Sequence, residues 1–122
     1  MALPVNYPLS VERHSCHSAS IGGTPIVAAT AARYRGKIIK FGGITEGAIT
    51  TADCTVTVAV NGTTIGTFTI TVAGAAAKQH FSGTPTTVVL SQVNTDDVIS
   101  FTPAGASGAS IPANFYADIL AA

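Results

Sequence analysis

The run Thr55, Val56, Thr57, Val58, Ala59, Val60 alternates polar and apolar side chains with a period of two, and Asn61-Gly62 follows at once. Successive side chains on a β-strand point to opposite faces, so this alternation marks a strand with one face on a core and one in water. Asn and Gly both tolerate the positive φ that a two-residue type I′ turn needs, so the chain is expected to fold straight back. The returning segment, residues 64–72, alternates Phe68, Ile70 and Val72 with Thr67, Thr69 and Thr71. The pattern predicts a hairpin with Val56, Val58 and Val60 facing the core and threonine outside.

A lone hairpin is marginal in water and needs further strands to close a core. Other β-rich segments span residues 11–18, 25–30, 33–44, 78–82, 86–91, 98–102 and 114–120, separated by Gly, Pro, Ser and Asp. No capped amphipathic stretch is long enough for a helix, and residues 73–77 allow one short helical turn at most. The expected fold is all-β, an antiparallel β-sandwich or jelly roll of about eight strands. A chain of 122 residues supports one such core and not two. Pro4 and Pro8 remove backbone donors near the start, so residues 1–10 read as an extended N-terminal arm reaching about 30 Å. Residues 11–122 then form a single β-sandwich domain, with residues 102–112 as a Gly- and Pro-containing loop before the last strand.

Charged residues make up only 10% of the chain, against roughly 25% in ordinary globular domains. Surface polarity must come from Thr, Ser and Asn, which suits a molecule that buries much of its outside against partners. Six Lys and Arg balance six Asp and Glu, so no net field gathers nucleic acid or an anionic membrane. No apolar run approaches a membrane span, and residues 1–10 show no basic segment leading into an apolar one, so synthesis and assembly are expected in a cytoplasm.

His14, Cys16 and His17 lie together in residue types that suit zinc or copper. On a strand His14 and Cys16 share one face and His17 takes the other, so a metal ion would need help from His80 or Cys54. Cys16 beside a histidine is also the one arrangement that suggests a thiol nucleophile. There is no Gly-x-Ser-x-Gly elbow, and residues 105–110 have the wrong spacing for one. Asp96-Asp97 follows Asn94-Thr95, which reads as a solvated turn and not as an acid–base pair or a calcium ligand set. Gly22-Gly23 and Gly42-Gly43 lack the helix and lysine of a phosphate loop and read as turns or bulges. With no Trp, a sugar-stacking platform is disfavoured. The residues therefore predict no catalytic set, no cofactor, no metal and two free thiols. Arg33, Arg35 and Lys37 fall on one face of a candidate strand with Lys40 nearby, a basic stripe that guards an edge or docks on an acidic protein surface.

The extended start, the segment Arg35-Gly36-Lys37-Ile38-Ile39, the hairpin Val58-Ala59-Val60-Asn61-Gly62-Thr63-Thr64-Ile65-Gly66 and the run Asp97-Val98-Ile99-Ser100-Phe101-Thr102-Pro103 carry a family likeness. Over residues 24–119 the chain resembles small structural proteins of tailed bacteriophages, particularly capsid decoration, or cement, proteins. The resemblance implies a β-sandwich or jelly roll on the outside of the virion, often a homotrimer, that clamps neighbouring major capsid protein subunits and does no catalysis. Tyr7 on the arm and Arg33, Arg35 and Lys37 are then the candidate capsid contacts. The His14, Cys16, His17 cluster departs from that family's pattern. The alternative expectation is a phage fibre or receptor-binding module that grips host surface glycans through loops such as residues 102–112.

Overall fold

The structure is a computed structural model that describes residues 11–22, 25–49, 52–71, 79–86, 92–105 and 111–121. The arm with Tyr7, residues 73–77 and residues 87–91 of an expected strand lie outside the described residues. Those that are described form nine strands and no helix: β1 (Val11–Ser18), β2 (Ala28–Ala31), β3 (Gly36–Thr45), β4 (Cys54–Val60), β5 (Thr63–Ile70), β6 (Gln79–Gly83), β7 (Gln92–Val93), β8 (Val98–Ala104) and β9 (Ala113–Ala121).

Two antiparallel sheets face each other. The first, sheet A, has the order β1-β9-β3-β6, with the two-residue β7 also on β3; the second, sheet B, has the order β2-β8-β4-β5. Setting β7 aside, each sheet interleaves strands from both ends of the chain, which is the double Greek key of a jelly roll. The expected all-β sandwich is therefore the observed fold.

The hairpin forms as its pattern predicts. Asn61 and Gly62 have φ of 49° and 88°, Val56 and Val58 are fully buried, and Phe68 and Ile70 join them. A register shift between Val58 and Ala59 places one extra residue in β5, which turns Ile65 inward as well. A second bulge, between Ile38 and Lys40 of β3, explains an otherwise awkward spacing. Ile38 and Phe41 are three residues apart and would face opposite ways on a regular strand, yet both are fully buried.

Four phenylalanines tie the sheets together in alternation. Phe41 of β3 meets Phe68 of β5 at 6.0 Å between ring centroids, Phe68 meets Phe115 of β9 at 6.1 Å, and Phe115 stacks on Phe101 of β8 at 5.4 Å. Each contact crosses from one sheet to the other, within the distances at which aromatic pairs attract.

Two expectations need correction. The strand expected over residues 33–44 begins only at Gly36, because the backbone before it is held elsewhere: Ala32 N–H donates to Asp97 O, and Arg33 N–H donates to His14 Nε2. Residues 102–104 belong to β8 and not to a loop, since Thr102, Pro103 and Ala104 pair with Thr57, Val56 and Thr55. Pro103 is tolerated there because β2 pairs with β8 only as far as Phe101 and leaves that side open. Of the strand expected over residues 86–91 only Thr86 is described, and the two-residue β7 lies beyond it at Gln92–Val93.

Candidate functional site

The sandwich separates its charges by sheet. Strands β2, β4, β5 and β8 contain no charged residue at all, while sheet A carries Glu12, Arg13, Lys37, Lys40 and Asp118 on its strands. The outer face of sheet B is a lattice of hydroxyls and methyls. Thr57 lies between Thr67 and Thr102, Thr55 between Thr69 and Ala104, and Ser100 between Ala59 and Ala29.

The outer face of sheet A is polar but internally closed. Arg13 forms a forked ion pair with Asp118, Nε to Oδ1 at 2.8 Å and Nη2 to Oδ2 at 3.0 Å, and its guanidinium lies 3.7 Å from the centre of the Tyr116 ring. Hydrogen bonding to Asp118 raises the Arg13 pKa, so this cation is held charged. On the far side Tyr116 Oη shares a hydrogen bond with His80 Nε2, and the two rings are nearly parallel. Tyr116 spans β3 at Gly42, where a Cβ would stand 2.8 Å from its hydroxyl. Covered in this way Tyr116 is only 4% exposed, and burial raises its phenol pKa. Its aromatic face is already occupied by Arg13 and is not open to a sugar.

The His14, Cys16, His17 cluster divides as strand geometry requires. His14 is buried, with Nε2 accepting the Arg33 N–H at 3.2 Å, so this nitrogen carries no proton; Glu12 is engaged by Arg33 Nη1 at 2.9 Å. His17 points the other way and bonds Asn114 Oδ1 at 2.9 Å, and His80 sits with Tyr116 on that same outer face. Among the described residues no three His, Cys, Asp or Glu side chains stand close enough to hold a metal ion.

Cys54 is fully buried, and burial pushes the Cys16 thiol up to about 11. A thiol in that state is a poor nucleophile at neutral pH. In native protein at pH 7.5, labelling of Cys16 by an aromatic disulfide reagent is expected to run roughly 100-fold slower than for free cysteine, with both thiols reacting promptly once the chain is unfolded. A native rate within tenfold of free cysteine would show an activated thiol instead.

The nominated cations gather at one end of the sandwich. Val11 pairs with Leu120, Lys37 pairs with the same Leu120, and Gly36 is flanked by Ala121 on β9 and Val93 on β7. The Asn94–Asp97 turn closes the same end. Asp97 accepts from Asn94 N–H at 2.8 Å and Asn61 Nδ2 at 3.0 Å, and these bonds, the backbone one first, hold its carboxyl below the usual range. Asp97 therefore serves a solvated turn. Arg33 is turned aside to Glu12, whereas Arg35 and Lys37 both line a depression of about 250 Å³ with Gly36, Gln92, Val93 and Asn94. The three-residue basic stripe expected on one strand face is thus a pair.

The fold and surface together define a β-sandwich domain of jelly-roll topology. No family model and no curated protein matches the chain. Among solved structures it is similar to CsCBM6-3 from Clostridium stercorarium, solved in complex with cellobiose, at 14% sequence identity and a TM-score of 0.52, covering 93% of this chain and 94% of that one. At that identity the likeness establishes the shared fold alone.

Proposed function

We propose that the protein is a non-catalytic structural component of a virion, a decoration protein that binds the outside of a phage head across neighbouring major capsid protein subunits and acts as a homotrimer. The observation that carries this reading is the charge-free outer face of sheet B. Burying a charged side chain is expensive unless it is paired, whereas a face of Thr, Ser and Ala asks for nothing beyond hydrogen bonds to its hydroxyls. Protein interfaces are depleted of charge at their centres in the same way. Copies on a lattice reinforce one another, because each contact after the first forms at high effective concentration.

Light scattering on the purified protein, followed by binding to emptied heads of the encoding phage and heating of the particles, tests the reading. The expected result is a trimer that binds and raises the temperature at which heads release their contents. Thr67→Lys and Thr102→Lys should each abolish binding without unfolding the domain, since both positions are exposed. A monomer indifferent to heads would remove the proposal.

A second reading is a fibre-associated module that recognises host glycans. Its support is the fold shared with a carbohydrate-binding module solved with cellobiose. Against it stands the Tyr116 ring, covered by Arg13. Binding on a glycan array by a protein that ignores heads would favour this reading over the first.

A further inference from the structure

The depression at Arg35 and Lys37 is built from groups that share one preference. Arg35 offers a planar guanidinium, Lys37 an ammonium, and Gln92 and Asn94 offer amides, around an opening of about 250 Å³ with Gly36 and Val93. No acid lines it. All six acidic residues of the chain lie among the described residues, and the ion pairs formed there with arginine engage Arg13 and Arg33. Among the described residues, Arg35 and Lys37 thus face the opening without an ion pair to a carboxylate.

The backbone beneath the two cations is paired and closely packed. Gly36 lies between two paired strands, and a Cβ there would stand 2.4 Å from Leu120 O, so Arg35 and Lys37 leave from a segment with no room to shift inward.

We infer that this depression is a socket for a carboxylate side chain of a partner protein, received by the guanidinium of Arg35 and the ammonium of Lys37. A guanidinium fork matches a carboxylate in two parallel hydrogen bonds, and Lys37 adds a point charge beside it. Among the described residues no aromatic ring lines the opening, so they offer a sugar no stacking surface. Two cations on a neutral chain do not form the extended track that a nucleic-acid backbone requires. The identity of the partner as the capsid rests on the proposed function; the carboxylate preference of the socket does not.

The experiment has two arms. In the first, ¹⁵N-labelled protein at low salt is titrated with an acetylated tetraglutamate peptide and with its glutamine counterpart. Saturable shifts are expected at the amides of Lys37, Gln92, Val93 and Asn94 with the glutamate peptide only, and they should vanish in the Arg35→Gln, Lys37→Gln double variant. No shifts at these amides, equal shifts with the neutral peptide, or shifts that survive in the double variant would overturn the socket. In the second arm, the double variant should bind emptied heads at least about tenfold more weakly than the wild type and show a flatter salt dependence. Unchanged head binding would overturn the capsid as the source of the carboxylate. Wild-type protein that ignores heads would instead overturn the decoration reading, with the peptide titration still deciding the socket.

Discussion

Replacing Phe115 by alanine is expected to destabilise the protein by about 3–5 kcal/mol, the range for deleting a fully buried aromatic ring. Phe115 is 0% exposed, stacks on Phe101 and meets Phe68 edge-on, so it is the middle link of the phenylalanine chain that joins the sheets. Both partners belong to sheet B, and the cavity would open between the layers where neither sheet can collapse without losing strand pairing. Since domains of this kind are stable by only about 5–15 kcal/mol, the variant should unfold at much lower urea, with little change in the slope of the transition. A loss below about 1 kcal/mol would mean that the sheets are held together elsewhere.

The second large effect is expected at Gly42. A Cβ at this position would stand 2.3 Å from Phe81 O on β6 and 2.8 Å from the Tyr116 hydroxyl. The hydroxyl can swing away, but the carbonyl belongs to a paired strand, so Gly42→Val must push β6 off β3. The expected destabilisation is about 3 kcal/mol, at the upper end for overpacking. It should come with exposure of Tyr116, read as a tyrosine emission change and as faster amide exchange in β6. Wild-type stability combined with an unchanged tyrosine signal would show that the strands are looser here than their pairing indicates.

These two sites differ in how far they could be foreseen. Phe115 lies on an expected strand, residues 114–120, and the alternation Phe115, Ala117, Ile119 marks its inner face. Gly42 reads as a turn or bulge because Gly-Gly pairs usually are, yet it sits inside the ten-residue β3. Its reason is Tyr116, 74 positions later, whose ring crosses the strand there, and nothing local to Gly42 records that.

The candidate contacts show the same limit. Arg33, Arg35 and Lys37 are spaced as one stripe, and strand periodicity alone would keep them together. Arg33 leaves the set because its N–H is needed by buried His14 and its side chain by Glu12. The separation of His14 and Cys16 from His17 follows from the period of two and was legible in advance. The burial that protonates Cys16 was not.

The sequence by itself determined the strands, the Asn61-Gly62 turn, the threonine-out pattern of the hairpin and the low charge. These are local properties, set by side-chain alternation and by which residues accept positive φ, and they survive any rearrangement of the strands. Tertiary structure decided which strands share a sheet. Only the pairing of β2 with β8 and of β8 with β4 collects the uncharged strands into one face, and only the approach of β7 to β3 places Gln92 and Asn94 beside Arg35 and Lys37. Both arrangements depend on contacts between residues far apart in the chain, whose energy appears only when the two sheets close over a common core.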